Sequence, residues 1–221
     1  MAGQQDPSPP RRLTRSFFAG DVLDVAPALL GATITHAGVT VRLTEVEAYA
    51  GTSDPGSHAF RGPTPRTEVM FGPAGRLYVY FSYGMHWCAN VVCGPRGAAS
   101  AVLLRAGEVV AGEEVAASRR TGVRQRDWAR GPARLTKTLA LAGGDTGSDV
   151  CAPDGAVQLH GPPDPVPAEV IRCGPRVGVS GAGGDATAYP WRFWLDGEPT
   201  VSVYRPAPNR PAKPRARKDP R

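Results

Sequence analysis

The strongest constraint on the fold is the alternation from Val39 to Tyr49. Val39, Val41, Leu43, Glu45 and Glu47 share one phase and Thr40, Arg42, Thr44 and Val46 the other, which is the two-residue period of a half-buried strand. The pattern predicts a long strand, and therefore a sheet. It also puts both glutamates on a face with three aliphatic side chains. A carboxylate there is costly to desolvate unless it is hydrogen-bonded, paired or used, and desolvation moves it towards the range of a general base. The same Glu-x-Glu also reads as a strand end emerging into water.

Around this strand the chain alternates strand and turn signals. Helical spacing over Asp21 to Leu30 is stopped by Gly31 and shortened or kinked by Pro27. A strand over Thr33 to His36 and a turn at Ala37-Gly38 complete a hairpin with Val39 to Tyr49. Residues 51–75, rich in Gly, Pro, Ser and Thr, read as a long loop, and loops of that length are usually functional. Arg76 to Ser82 and Trp87 to Cys93 form a second hairpin with Tyr83-Gly84 at its turn. A strand over Ala101 to Arg105 leads to a helix over Glu108 to Arg120, and a second helix runs from Gly131-Pro132 to Ala142. Val157 to Leu159, Val170 to Arg172, Arg176 to Val179, Trp191 to Leu195 and Val201 to Tyr204 read as short strands. The sum is one α+β domain around a largely antiparallel sheet, spanning 13–204. The polar ends, 1–12 and the Pro/Arg/Lys tail 205–221, are expected to be disordered.

Several chemistries are disfavoured. No apolar run is long enough to cross a membrane and no secretory leader is visible, so a soluble, cytoplasmic protein is expected. Cys88, Cys93, Cys151 and Cys173 form no C-x-x-C pair and read as reduced thiols; His86-x-Cys88-x4-Cys93 matches no common zinc spacing. No nucleophile elbow, phosphate loop or dinucleotide fingerprint is present. Lys137 is the one lysine outside the tail, which argues against Schiff-base catalysis. The net charge of +6 favours a polyanionic partner, although the tail that carries much of it serves equally as a solubilising end.

What remains is a carboxylate with aromatic neighbours. Tyr49, His58, Tyr78 and Tyr80 are candidates to line a slot for a flat ring, with Asn90 offering a donor and an acceptor to read its edge. Each alone is more often structural; the combination is less ordinary. An aromatic at a hairpin tip suits a wedge that fills the gap left by a flipped nucleotide.

The segments Leu29-Leu30-Gly31, Glu45 to Tyr49, Ser57-His58, Thr64-Pro65-Arg66, Met70-Phe71-Gly72, Tyr78 to Asn90, Leu103-Leu104-Arg105, Arg130 to Leu135 and Arg176 to Val179 resemble, in order, the alkyladenine (3-methyladenine) DNA glycosylase family. The resemblance covers residues 12–205, and the run Tyr78 to Asn90 is its most specific part. It implies a single domain with a curved antiparallel sheet, flanking helices and a protruding DNA-intercalating hairpin. It further implies a monomeric, cofactor-free, monofunctional enzyme that cuts the N-glycosidic bond of alkylated or deaminated purines in double-stranded DNA. The candidate substrates are 3-methyladenine, 7-methylguanine, hypoxanthine and ethenoadenine. By the same resemblance Glu47 is the water-activating base, with Arg105 and the main chain at Val177 as the water's other partners. Tyr49, His58, Tyr80 and Leu103 surround the flipped base, and Asn90 disfavours guanine. Tyr83 is the wedge with Met70 across the gap, and Arg66 and Arg134 are phosphate contacts.

Two departures are local. Val46 stands where many members carry Thr, and His86-Trp87 replaces Tyr-Phe-like residues. Two other functions stay open on the sequence: a lesion-binding protein that flips bases without cutting, and a hydrolase of free nucleosides or RNA.

Overall fold

The computed structural model describes residues 11–82 and 84–207. The wedge candidate Tyr83 and nearly all of the expected disordered ends lie outside these residues. At the start of the described chain, Arg12 pairs with His160 and its guanidinium reaches the carbonyls of Ala152 and Pro153.

Two short helices, α1 (Arg15–Phe18) and α2 (Val22–Ala28), precede the hairpin β1 (Thr33–His36) and β2 (Val39–Tyr49). Both hairpin strands keep the bounds read from the sequence. The two-residue turn between them places Ala37 and Gly38 at φ 46° and 81°, the left-handed pair that matches strand twist. Then come β3 (Leu77–Ser82), β4 (His86–Cys93), β5 (Ser100–Ala111), α3 (Glu113–Arg119), α4 (Pro132–Leu139), β6 (Gln158–His160), β7 (Ile171–Gly174) and β8 (Arg192–Leu195). The strands form one antiparallel sheet in the order β3-β4-β5-β2-β1-β6. After β1 ends, β8 takes up the free side of β2, and β7 pairs with β8.

The helices and the main core share one face of the sheet. Val25 and Leu29 of the α2 region and Leu135 and Leu139 of α4 pack with Leu77, Val79, Ala89, Val91, Val102 and Leu104. The residues in the opposite phase, Tyr78, Tyr80, Asn90, Leu103 and Arg105, line a cavity on the other face. The sheet is thus a partition between core and site.

The two glutamates reach the site side through a break in register. Leu43 pairs with Gly107 but Glu45 pairs with Ala106, so Thr44 is an extra residue, a β-bulge that changes the strand's phase. Val39, Val41 and Leu43 before it, and Val46 and Ala48 after it, all join the core. Glu45 and Glu47 therefore do not share a face with the three aliphatics, as strict alternation predicts, but lie on the opposite one.

Three further expectations are corrected. The strand expected to end at Arg105 continues to Ala111 because Glu108–Ala111 pair with Thr40–Arg42, so the helix starts at Glu113, not Glu108. Gly107 permits this: a Cβ there would lie 2.3 Å from the Arg42 carbonyl. The segments 176–179 and 201–204 are not strands. Their backbone groups are used elsewhere: Val177 N–H donates to Glu47, Ser202 N–H to Glu45, and Gly178 N–H to the Arg205 carbonyl.

Candidate active site

The carboxylates of Glu45 and Glu47 are both fully buried, yet neither is unpaired. Glu47 Oε1 accepts from the Val177 N–H at 2.7 Å and lies 3.3 Å from Arg105 Nη1; its Oε2 accepts from the Tyr49 hydroxyl at 2.9 Å. Glu45 Oε1 accepts from Arg105 Nε at 2.9 Å, Arg192 Nε at 2.6 Å and the Ser202 hydroxyl at 2.9 Å, while Oε2 accepts from the Ser202 N–H at 2.7 Å. Two carboxylates and two guanidiniums balance in charge, which is what makes their burial tolerable. Burial opposes the charge on Arg105, but Glu47 and Glu45 beside it outweigh that and raise its pKa, so it stays a cation. Burial, and then the Glu47 charge, push the Tyr49 hydroxyl well above its usual range, so it remains a donor.

Beside Glu47 opens a cavity of about 700 Å³. Its walls bring together most of the residues singled out in the sequence: Tyr49, His58, Tyr80, Asn90, Leu103, Arg105 and Val177, with Arg66 and Met70. Tyr78 and Tyr80 stack with centroids 5.3 Å apart, and His58 meets Tyr80 edge-on at 4.6 Å. His58 Nδ1 is 3.1 Å from the Tyr78 hydroxyl. Although the residue keeps an exposed face, partial loss of water around its ring, and then the Arg66 guanidinium, lower the His58 pKa to about 4, so the ring is neutral at neutral pH. Asn90 donates from Nδ2 to the Tyr78 carbonyl at 3.1 Å, which fixes its amide in the wall. Arg66 is exposed, with its guanidinium carbon 5.2 Å from the Tyr80 centroid. Met70 is buried in a small cluster with Ala59, Tyr78 and Val92 and shows one edge to the cavity.

Cys88 faces the cavity whereas Cys93 belongs to the main core, so the two thiols sit on opposite sides of β4. Among the described residues no cluster of three or more His, Cys, Asp or Glu is placed to hold a metal. Lys137 is exposed on α4 and does not line the cavity. A second cavity of about 410 Å³ adjoins the first, sharing Arg105 and Val177, and is lined by Arg130, Arg134 and Arg205 against Asp127.

Sequence reasoning missed the support of the Val177 N–H. Arg176, fully buried, donates to Asp54 at 2.5 and 2.8 Å, to the Ala48 carbonyl at 2.9 Å and to the Gly183 carbonyl at 2.8 Å. Tyr49 and Trp191 flank it, 4.5 and 5.2 Å from its guanidinium carbon. Gly183 lets the two loops touch: a Cβ there would lie 2.3 Å from the Gly56 nitrogen. Asp54 and Arg176 are 122 positions apart, and no local pattern in the sequence links the two.

Comparison with known proteins points to one family. Residues 16–199 match the model of the family described as methylpurine-DNA glycosylase. A Streptomyces avermitilis protein named "Putative 3-methyladenine DNA glycosylase" is 54% identical over 198 residues, covering 87% of this chain and 92% of the relative. A Frankia casuarinae protein of the same name is 56% identical over 203 residues, covering 88% and 93%. The chain belongs to the methylpurine-DNA glycosylase family.

Proposed function

We propose that this protein is a monofunctional DNA glycosylase that hydrolyses the N-glycosidic bond of damaged purines in duplex DNA, the opening step of base excision repair. One observation supports the reading: Glu47, fully buried, is held by Val177 N–H, Tyr49 and Arg105, and these three partners line the aromatic cavity beside it. In the proposed reaction the bond between the purine nitrogen and the sugar C1′ breaks, and its electron pair leaves with the base. Water adds to C1′ as its proton passes to Glu47. The carboxylate also faces the oxocarbenium character that develops on the sugar. No cofactor takes part.

Each wall residue has a part in this reading. Tyr49 on one side and His58 with Tyr80 on the other stack on the flipped base, and a cationic alkylated purine gains most from such π faces. Leu103 closes the floor. The fixed amide of Asn90 crowds the exocyclic amine of guanine and so protects the normal base. Tyr83 fills the vacated space in the duplex. Met70, buried behind Tyr78, supports the stacking wall rather than the gap in the helix. Arg66 at the mouth and Arg134 in the arginine-lined second cavity contact phosphates on either side of the flipped nucleotide. The substrates are 3-methyladenine, 7-methylguanine, hypoxanthine and ethenoadenine, and the enzyme acts in the cytoplasm as a monomer.

The test is single-turnover base release from duplexes carrying each lesion, read as alkali-labile abasic sites. Glu47→Gln is expected to keep lesion-DNA affinity and to lose release by roughly 10²–10⁴-fold, the usual worth of a positioned base. Release at near the parent rate would remove Glu47 from the chemistry. Parent-level binding of lesion DNA with no release by the unaltered protein would make it a flipping protein without catalysis.

A further inference from the structure

We propose that Glu45 is a positioning residue for base release: it holds Arg105 so that Arg105 cannot close onto Glu47. This deepens the reading of the site given above and rests on it. The argument concerns how one guanidinium is divided. Arg105 Nε donates to Glu45 Oε1 at 2.9 Å, Nη2 to the Ser202 hydroxyl at 3.2 Å, and only Nη1 turns to Glu47, at 3.3 Å. Its shortest ionic contact is with the non-catalytic carboxylate. A guanidinium left with one carboxylate for a partner prefers the two-pronged pairing that occupies both oxygens. Such a pairing on Glu47 would take up the lone pairs that have to receive the proton of water.

Glu45 is itself prevented from turning. Arg192 Nε, the Ser202 N–H and the Ser202 hydroxyl hold its two oxygens from the far side, and it is fully buried. Ser202 is the joint of the arrangement, since its hydroxyl touches both Glu45 and Arg105. The segment carrying it is anchored by Arg130 Nε on the Val201 carbonyl at 2.8 Å and by Gly178 N–H on the Arg205 carbonyl at 3.2 Å. The bulge at Thr44 brings Glu45 and Glu47 to this face as a pair, one to hold the arginine and one to use it.

A double-mutant cycle on the single-turnover rate tests this, with the full chain, a hypoxanthine duplex and the variants Glu45→Gln, Arg105→Gln and both together. Folded, binding-competent enzyme is counted by titration with lesion DNA, so that a smaller yield of folded protein is not read as a slower rate. Glu45→Gln is expected to bind lesion DNA as the parent does but to release base roughly 10²-fold more slowly, the scale of a small misplacement at a reacting centre. The double variant should be no slower than Arg105→Gln alone, because the two act as one unit. Losses that multiply, or a smaller folded fraction that works at the parent rate, would overturn the proposal. Ser202→Ala removes the shared hydroxyl without exposing a charge, and serves if Glu45→Gln does not fold. It should slow release in the parent and not in the Arg105→Gln background, and an unchanged rate in the parent would overturn the proposal. Glu47→Gln runs alongside. If it retains release, the reading of the whole site fails; if it loses release while Glu45→Gln and Ser202→Ala match the parent, only the positioning role fails.

Discussion

His58 lines the cavity as a neutral ring. Dehydration of its ring is the larger cause of its lowered pKa and the Arg66 charge the smaller. An imidazole proton resonance in the free protein should therefore titrate with a midpoint of about 4. Arg66→Ala should raise that midpoint yet leave it below the ordinary 6.5, since the larger cause remains. An unmoved midpoint would discount the arginine. The sign for stability follows from linkage. The unfolded chain takes up this proton near 6.5, before the folded one does, so the contribution is complete above that pH and fades as pH falls towards about 4. Urea midpoints of the parent should rise with pH across this window more steeply than those of His58→Phe. A neutral ring also suits the cationic bases of the proposed reaction. At Asn90 the expectation concerns choice of base: Asn90→Ala should admit guanine while hypoxanthine release is kept, and unchanged discrimination between the two in competition assays would exclude a filtering role.

At the scale of elements, the site rests on loops held by buried charge. Removing one partner of a buried ion pair typically costs ~3–5 kcal/mol, because the other is left uncompensated. Asp54→Ala should therefore lower unfolding free energy by roughly that amount in urea titrations. It should also slow base release in the molecules that stay folded, since the Val177 N–H loses its support; a variant as stable as the parent would show that Arg176 finds other acceptors. This level also shows where sequence reasoning stops. The hairpin of β1 and β2 was legible to the residue because alternation and an Ala-Gly turn are local signals. The side to which Glu45 and Glu47 point was not, because the bulge at Thr44 depends on pairing with β5, about sixty positions away. Residues 176–179 and 201–204 have strand-like alternation, yet their N–H groups serve two carboxylates instead of a neighbouring strand. Tyr78, Tyr80 and Asn90 line one cavity because β3 and β4 carry them in regular alternation, a local pattern.

At the scale of the whole molecule, two adjoining cavities carry arginines. The aromatic one is lined by exposed Arg66 and buried Arg105, and the other shares Arg105 and adds Arg130, Arg134 and Arg205 against Asp127. This concentration suits the phosphates of a DNA substrate. The Pro/Arg/Lys tail adds to the positive charge, and its residues from 208 on lie outside the described structure. Deleting the residues beyond Pro206 should weaken binding to lesion and undamaged duplex alike. It should also flatten the slope of log affinity against log salt by about 0.9 for each phosphate that the tail no longer neutralises. Single-turnover release at saturating enzyme should hardly change, as no cavity wall is removed. An unaltered slope would assign DNA binding to the folded domain alone.

The anchoring of Ser202 bears on how the enzyme is made. Glu45 leaves the ribosome early, but its partners follow 60, 147 and 157 positions later, at Arg105, Arg192 and Ser202. A nascent chain can form the first hairpin long before anything can neutralise the carboxylate it carries. Closure of such distant contacts is slow compared with local pairing. Competence to cut should then arise in one late step, when the segment around Ser202 docks, and not grow gradually with chain length. A newly made molecule would in this way be kept from opening DNA at a site that is only partly built.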